Sequence, residues 1–223
     1  MINVAIDGPS GAGKSTVSRA VASSLGYIYI DTGAMYRTVA YKAVSNGIDP
    51  SDAASVTAML PYTQLDIKHC ADGQHMFADG ADVTDKIRTP QISMGASAVA
   101  AIPEVRSWLL DTQRAFAAKS NCIMDGRDIG TVVLPDADVK IFLTASPEAR
   151  ARRRYDELTA KGQSVNFDEV LRDMIDRDRA DSSRDCAPLA AADDAVTVDT
   201  SDIGFDETVR RITDIITNRE ARA

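Results

Sequence analysis

Along the first fifty residues, short continuous apolar runs alternate with longer stretches in which apolar residues recur every three or four positions. The short runs are typical of buried strands, and the longer stretches are typical of helices that bury one face. The predicted elements are strands at residues 2–6 and 27–30 and helices at residues 14–25 and 34–46. Strands and helices that alternate in this order indicate an α/β fold with a parallel sheet.

The pattern changes in the middle of the chain. Two short β-like runs, residues 64–68 and 75–78, lie on either side of the turn signal Ala71-Asp72-Gly73. Two such runs joined by a glycine-containing turn predict an antiparallel hairpin. We therefore interpret residues from about 50 to 95 as a small lobe inserted into an α/β core that is formed by residues 1–49 and 96–223.

The α/β pattern resumes after this lobe. Helices are predicted at residues 92–101 and 103–119, strands at 121–125, 139–143 and 195–198, and a terminal helix whose apolar stripe is Phe205, Val209, Ile212 and Ile216. Two more helices have clear start signals. Ser146 is a good N-cap ahead of Pro147, and Asn166 opens a capping-box pattern with Glu169.

Charge and composition narrow the classes of function. The 223 residues include 25 basic and 33 acidic side chains, for a formal net charge of −8. An acidic chain is poorly suited to binding nucleic acid or an anionic membrane, because both need a positive surface. Arginine nevertheless outnumbers lysine 18 to 7, and eight of the arginines fall within residues 150–184. Since arginine binds phosphate or carboxylate through two parallel hydrogen bonds, we expect this cluster to serve a binding site.

Cysteine usage and the chain start point to the cellular setting. Cys70, Cys122 and Cys186 form no CxxC pair, so neither a disulfide framework nor a zinc site is predicted. The start, MINVAID, does not resemble a secretory leader, and no stretch approaches the roughly 18 apolar residues that span a membrane. We therefore expect a cytoplasmic protein without a membrane partner.

The sequence GPSGAGKS at residues 8–15 matches the phosphate-loop pattern GxxxxGK[ST], between a predicted strand and a predicted helix. Glycines let successive backbone N–H groups point at phosphate oxygens, and the helix start adds the positive end of its dipole. Lys14 is expected to bind the β- and γ-phosphates of ATP, and the Ser15 hydroxyl is expected to bind Mg²⁺. The residues predicted to bind ATP here are Gly8, Pro9, Ser10, Gly11, Ala12, Gly13, Lys14, Ser15 and Thr16.

The rest of the chain distinguishes among phosphate-loop proteins. It has no NKxD motif of the kind that reads guanine in GTPases, and it is short for a motor or AAA-type ATPase. A phosphate loop, an inserted lobe and an arginine-rich helical segment are the arrangement expected of a small-molecule kinase. Phosphoryl transfer needs charge neutralisation, alignment and exclusion of water, which arginines on a mobile lid can supply.

Seven segments make the chain resemble the bacterial cytidylate (CMP/dCMP) kinases, a family of nucleoside monophosphate kinases. These segments, spread over nearly the whole chain, are IDGPSGAGKST, DTGAMYR, IRTP, ASAVAAIPEVR, DGRDIGTVVLPDADVKIFLTAS, ARARRRYDELTAKGQSVNF and DRDRADSSRDCAPL. The resemblance implies a P-loop NTP hydrolase-like fold in a single domain of residues 1–223. Its central five-stranded parallel sheet would carry a lobe for the nucleoside monophosphate and a short lid, residues 150–165, over ATP.

The resemblance further implies transfer of the γ-phosphate of ATP to CMP or dCMP, and it assigns residues to the acceptor. Arg37 and Arg127 match the pair that grips the acceptor phosphate together with Lys14. Asp181 and Arg184 match positions that contact the sugar and phosphate of the acceptor. For Arg37, an ordinary solvated surface position is the alternative.

Three further residues, Ser97, Arg106 and Asp128, match the cytosine contacts of the family. Asp128 can accept a hydrogen bond from the N4 amine, and Arg106 can donate to O2 and N3. The alternative for Asp128 is an ion pair with Arg127 or Arg106. Thr32 stands where relatives often have serine, which keeps the hydroxyl but adds a methyl group. The preference between ribose and deoxyribose is therefore left open.

Arginines of the predicted lid and of its base match positions that reach ATP and the transferring phosphoryl group, namely Arg153, Arg154 and Arg177. We expect Arg154 to contact ATP. The predicted catalytic residues are Lys14, Arg127, Arg153 and Arg177. Arg150 and Arg152 lie one helical turn from acidic residues, so we interpret them as solvated members of weak intrahelical ion pairs.

Two alternatives stay open from the sequence. The chain could phosphorylate another small acceptor, such as UMP, AMP or a sugar acid. It could also be a non-catalytic nucleotide sensor, although such a protein is expected to lose its lid arginines and this sequence retains them. With no coiled coil or exposed apolar repeat, we expect a monomer that binds only small molecules.

Overall fold

The computed structural model describes residues 1–70 and 73–221, and Ala71 and Asp72 of the predicted turn lie outside these ranges. In chain order the elements are β1 (Asn3–Asp7), α1 (Lys14–Leu25), β2 (Ile28–Asp31), α2 (Thr32–Ser45), α3 (Ala53–Met59), β3 (Leu65–Cys70), β4 (Gly73–Ala78), β5 (Ala81–Asp82), α4 (Pro90–Val99), α5 (Pro103–Ala117), β6 (Cys122–Gly126), β7 (Val139–Thr144), α6 (Pro147–Ala160), α7 (Phe167–Ser183), β8 (Val196–Asp199) and α8 (Phe205–Glu220). A single π-helical turn, Ile129–Val133, follows β6.

The chain divides into two compact units, of which the first comprises residues 1–29 and 119–223. Its sheet has the strand order β2-β6-β1-β7-β8, and along β2 the chain passes into the second unit. β1 pairs in parallel with β6 on one side and β7 on the other, so that Ile6 lies opposite both Asp125 and Ile141. The predicted α/β fold with a central five-stranded parallel sheet is confirmed.

Helices cover this sheet and bury its apolar runs. The core contains residues of β1, β6 and β7 together with Val17 and Val21 from α1 and Ile212 and Ile216 from α8. Strands that are buried on both faces read as continuous apolar runs, which is why the sequence pattern located them. Phe205, predicted to share the α8 stripe, is 49% exposed because it is the first residue of that helix.

The second unit, residues 30–118, combines helices with a small antiparallel sheet. β3 and β4 pair antiparallel, with Ile67 opposite Met76, and β5 extends this sheet, so the predicted hairpin is confirmed. The predicted insertion of residues 50–95 lies inside this unit. The unit itself begins earlier and ends later, because α2, α4 and α5 share one apolar core with the hairpin. Nowhere in the described ranges does a helix have the length and apolar character of a membrane span.

Candidate active site

The phosphate loop connects β1 to α1, as predicted. Gly13 has a φ of +87° at the N-cap of α1, a left-handed conformation that glycine adopts without strain. Lys14 begins the helix and is only 6% exposed. Its Nζ donates hydrogen bonds to the backbone oxygens of Gly8, at 2.6 Å, and Pro9, at 2.7 Å. The lysine therefore lies folded across the inside of its own loop.

Burial and neighbouring charge both act on the Lys14 ammonium. Burial lowers the pKa of Lys14 well below its ordinary value, and the Arg127 guanidinium lowers this pKa further. The carboxylates of Asp125 and Asp7 oppose the shift, while Arg177 adds to it. Lys14 and the guanidinium groups of Arg127 and Arg177 thus lie close together at this poorly solvated loop, which favours an anionic ligand such as phosphate.

Ser15 forms a hydrogen bond to the carboxylate of Asp125, a residue that the sequence analysis did not predict for the site. Its Oγ donates to Oδ2 of Asp125 at 2.8 Å, and the Tyr29 hydroxyl donates to Oδ1 of the same residue at 3.0 Å. Asp125 lies in β6, next to the strand that leads into the phosphate loop. An acidic residue near the carboxyl end of a strand beside β1 was the signal that could have identified it.

The Ser15 and Asp125 pair fits Mg²⁺, the metal predicted from the phosphate loop. Mg²⁺ prefers oxygen ligands and is commonly held by one or two protein groups together with substrate phosphates. The Ser15 hydroxyl oxygen and the Asp125 carboxylate oxygen, 2.8 Å apart, are oxygen ligands of this kind. Within residues 1–70 and 73–221 there is no cluster of three or more histidine, cysteine or acidic side chains that could hold a metal by itself. The protein therefore offers a partial ligand set that nucleotide phosphates would complete.

Asp7, at the end of β1, holds the turn that follows β6. Its two carboxylate oxygens accept hydrogen bonds from the backbone N–H groups of Ile129 and Gly130, each at 2.7 Å. Burial raises the pKa of Asp7 to about 6, and these two hydrogen bonds only partly oppose that shift. A nearly buried carboxylate thus anchors the turn directly after Arg127 and Asp128.

This arrangement predicts a pH-dependent stability. The folded chain holds the Asp7 proton more tightly than the unfolded chain, whose aspartate keeps the usual pKa of 3.8. The stabilisation from this proton is therefore complete below pH 3.8 and is lost as the pH rises through about 6. We expect wild type to lose about 2 kcal/mol of unfolding free energy between pH 4 and 7 relative to Asp7→Asn. Urea unfolding across this range measures the difference.

The control for this experiment is Asp111→Asn, which changes an exposed aspartate of α5. Its unfolding free energy should follow the wild-type pH profile. If the Asp7→Asn profile also runs parallel to wild type, Asp7 does not change its protonation state on folding in this range.

Two ion pairs join the loop after β6 to the end of α7. Arg127 donates from Nε to Oδ2 of Asp181 at 2.8 Å. Arg184, just beyond α7, places Nη2 3.6 Å from Oδ1 of Asp128. The structure thus brings together four residues that were predicted to contact the acceptor. For the ion-pair alternative of Asp128, the structure adds Arg184 as a neighbour that was not expected, because the end of α7 packs here.

The arginines predicted for the lid and for its base have separate partners. Arg153 donates from Nη1 to the hydroxyl of Thr200 at 3.1 Å and from Nη2 to the backbone oxygen of the same residue. Arg154 forms an exposed ion pair with Glu157 at 2.8 Å. Arg177, on α7, lies close enough to Lys14 for its charge to lower the lysine pKa. Of these three arginines, Arg177 has the electrostatic link to the phosphate loop.

The interpretation of Arg150 as a solvated residue is wrong. Its side chain is 3% exposed and pairs with Asp178 of α7, because α6 packs against α7 and turns this arginine inward. Arg152 is exposed, but its guanidinium lies 4.5 Å from the centre of the Phe167 ring instead of pairing with an acid.

In the second unit, predicted acceptor residues lie around the start of α2. Thr32 is the buried first residue of this helix, and Asp31 caps the helix by accepting from the Ala34 N–H at 2.8 Å. Arg37 donates to the other oxygen of Asp31 at 2.9 Å, so Arg37 has a defined partner. Asp31 follows the predicted strand directly, yet sequence reasoning did not identify it as a site residue.

Two of the three residues predicted to contact cytosine, Ser97 and Arg106, belong to this second unit and lie on α4 and α5. Ser97 is partly exposed on α4. Arg106 is buried on α5, donates to the backbone oxygen of Ala100 at 3.2 Å and lies 5.6 Å from the centre of the Tyr36 ring. Tyr36, which was not predicted as a site residue, gives Arg106 an aromatic neighbour.

Comparisons with known proteins agree with these features. A sequence model of the family described as cytidylate kinase matches residues 4–218. The cytidylate kinase of Pelotomaculum thermopropionicum is 49% identical over 94% of this chain and 93% of its own length. The cytidylate kinase of Corynebacterium glutamicum is 50% identical over 96% of this chain and 93% of its own length.

Among solved structures, a shikimate kinase from Bacteroides thetaiotaomicron covers 97% of this chain and 98% of its own chain, with a TM-score of 0.50 and 13% identity. That likeness supports the fold alone. The sequence matches extend over both units and include the phosphate loop, the loop after β6 and α7. The chain belongs to the cytidylate kinase family.

Proposed function

We propose that this protein transfers the γ-phosphate of ATP to CMP or dCMP, giving ADP and CDP or dCDP. The observation that carries the proposal is the match to the cytidylate kinase family over residues 4–218, a range that holds every residue assigned below. A kinase of another acceptor would have no need for the cytosine-reading residues. A non-catalytic sensor would have no need for the lid arginines.

On the donor side, the phosphate loop would receive ATP. Backbone N–H groups of residues 10–16, at the start of α1, would bind the phosphates, with Gly8 and Pro9 shaping the loop and Lys14 neutralising the β- and γ-phosphates. Ser15 and Asp125 would hold Mg²⁺, which when bound neutralises charge on the phosphates and fixes their orientation. Lys14 would exchange its bonds to Gly8 and Pro9 for bonds to phosphate oxygens.

On the acceptor side, Arg37 and Arg127 would bind the phosphate of CMP, together with Lys14. Asp181 holds Arg127 in place, and both Asp181 and Arg184 would contact the sugar and phosphate. A nucleotide phosphate has a second pKa of about 6, so it is largely dianionic near neutral pH and needs no general base. The proposed chemistry is therefore alignment and charge stabilisation.

The base would be read by Asp128, Arg106 and Ser97. Asp128 would accept a hydrogen bond from the N4 amine of cytosine, a group that uracil lacks, and Arg106 would donate to O2 and N3. Arg184 supports Asp128 from 3.6 Å. Thr32, buried at the start of α2, would line the acceptor site. The discrimination against UMP would come from O4 of uracil, an acceptor that would face the Asp128 carboxylate where cytosine presents the N4 donor.

Closure of the predicted lid is the remaining step of the proposal. Arg153 and Arg154 contact Thr200 and Glu157 in this structure, so their proposed contacts to ATP require residues 150–165 to move. Closure would exclude water from the γ-phosphate. Arg177 lies on α7 and would stabilise the transferring phosphoryl group from there.

For Arg177→Ala we expect kcat to fall by about 10²-fold, because one preorganised cation is lost from the transition state. The affinity for an ATP analogue should change by less than about threefold, since the phosphate loop holds the donor. Steady-state kinetics and equilibrium binding measure the two effects. The matched control is Arg172→Ala, an exposed arginine of the same helix. An unchanged kcat for Arg177→Ala would remove this residue from the mechanism.

The experiment that tests the function measures ADP release from Mg·ATP with CMP, dCMP, UMP or AMP as acceptor. We expect CMP or dCMP to be preferred, and a preference for AMP would contradict the assignment. ADP release that no acceptor stimulates would favour a sensor. We also propose that the protein acts in the cytoplasm as a monomer, and sedimentation at micromolar concentration tests the monomer.

A further inference from the structure

Arg150 joins three segments of the first unit through one guanidinium group. Nε donates to the backbone oxygen of Ala145 at 2.9 Å, and Nη1 donates to the backbone oxygen of Ser10 at 2.8 Å. Nη2 donates to Oδ2 of Asp178 at 2.6 Å. Ala145 follows β7, Ser10 is in the phosphate loop, and Asp178 is in α7. A single side chain therefore connects the loop that binds ATP with the helix that carries Arg177.

Packing at the same place reinforces this connection. Gly11 of the phosphate loop lies so close to α7 that an added Cβ would be 2.9 Å from Cε of Met174. The same Cβ would be 3.4 Å from Cβ of Arg150. Met174 precedes Asp178 by one helical turn, and Arg177 directly precedes Asp178 in the sequence. The loop and α7 are thus in contact, and Arg150 supplies the polar link across that contact.

The chemistry of this link depends on arginine in particular. Burial of a guanidinium costs free energy unless its donors are satisfied, and all three donor directions of Arg150 are used. The rigid planar fork fixes the relative directions of its partners, which the single flexible ammonium of lysine cannot do. A residue that served only to fill space would need no such set of bonds.

We propose that Arg150 is a positioning residue that keeps the phosphate loop and Arg177 in register for phosphoryl transfer. The inference rests on the proposed function and assigns no contact between Arg150 and substrate. Arg150 acts through Ser10 on the donor phosphates and through Asp178 on α7. Because register matters most when the transition state forms, its loss affects kcat more than the binding of either substrate.

Kinetics of Arg150→Lys, Asp178→Asn and the double variant test this role. Both substitutions keep the approximate volume of the side chain, so the variants should fold, and thermal unfolding verifies that they do. Each single variant is expected to lower kcat about 10- to 30-fold, with KM for CMP within threefold of wild type. The double variant should be little worse than either single one, because both break the same link.

The matched control is the exposed ion pair between Arg210 and Asp214 of α8, 3.4 Å apart. Arg210→Lys and Asp214→Asn should leave kcat unchanged. Wild-type kcat in folded Arg150→Lys and Asp178→Asn would overturn the proposal, as would a raised KM for CMP with kcat unchanged. The proposal would also be overturned if the decrease in kcat of the double variant equalled the product of the two single decreases.

Amide hydrogen exchange tests the link without reference to the acceptor. Exchange of residues 8–16 and of α7 is expected to quicken together in either variant, and unchanged exchange in both segments would overturn the proposal. If wild type releases no ADP with CMP, the proposed function fails, and exchange still decides the role of Arg150. The two failures are therefore distinguishable.

Discussion

Replacing Lys14 with methionine is expected to lower kcat by about 10³-fold, equivalent to about 4 kcal/mol of transition-state stabilisation. Methionine keeps most of the length of the lysine side chain but removes the charge that is proposed to neutralise the β- and γ-phosphates. The effect should exceed that of Arg177→Ala, because Lys14 is also proposed to bind the acceptor phosphate. Steady-state kinetics with Mg·ATP and CMP measure it.

Stability should respond differently to this substitution. The pKa of Lys14 is lowered by burial, so the folded protein holds its ammonium at a cost in desolvation. Methionine removes that cost but leaves the backbone oxygens of Gly8 and Pro9 without this donor. We therefore expect a melting temperature close to wild type, and a loss of activity that does not come from unfolding.

Lys119→Met is the matched control, because it makes the same change at an exposed position. Its kcat should equal that of wild type. A kcat within threefold of wild type for Lys14→Met would show that the lysine is dispensable for phosphoryl transfer.

The parts of the fold that the sequence predicts best have local signals. Helix α1 occupies residues 14–25 as predicted, because Gly13 and Gly26 at its two ends adopt left-handed conformations that stop the helical pattern. The buried strands of the parallel sheet are recognisable as apolar runs. Helix α3, Ala53–Met59, was missed because seven residues give too few turns for a periodic pattern to be visible.

Side-chain partners are predicted less well, since they depend on which elements pack together. The sequence offers Arg150 acidic neighbours on its own helix, but its actual partners are Asp178, 28 residues away, and Ser10, 140 residues away. Asp128 similarly lies 3.6 Å from Arg184 at the end of α7, a neighbour that local spacing does not indicate. Local spacing predicts intrahelical pairs, whereas burial of α6 against α7 turned this arginine inward.

The site around the phosphate loop was predicted only in part. Its sequence pattern identified Lys14 and Ser15, and the strand and helix around it are where the motif requires them. The carboxylate of Asp125 is contributed by another strand, so the motif alone could not reveal it. A motif therefore identifies the residues of one segment, and the sheet topology supplies the rest of the site.

Gly8→Ala is expected to destabilise the protein by at least about 3 kcal/mol, the largest effect on stability that we predict. An added Cβ would lie 1.9 Å from the backbone oxygen of Leu143 and 3.0 Å from its carbonyl carbon. Leu143 lies within β7, so this carbonyl cannot move without disturbing the central sheet. The φ of Gly8, +149°, is also one that alanine rarely adopts.

Gly26→Ala separates the two causes of this destabilisation. Gly26 has a φ of +69°, and an added Cβ would meet no atom within 4 Å, so only backbone strain of about 1 kcal/mol is expected. Urea unfolding of both variants measures the difference. If Gly8→Ala lowers the free energy of unfolding no more than Gly26→Ala does, β7 shifts to accommodate the added methyl group. The larger loss we expect for Gly8→Ala means that packing against β7, and not glycine's backbone freedom alone, determines how the phosphate loop leaves β1.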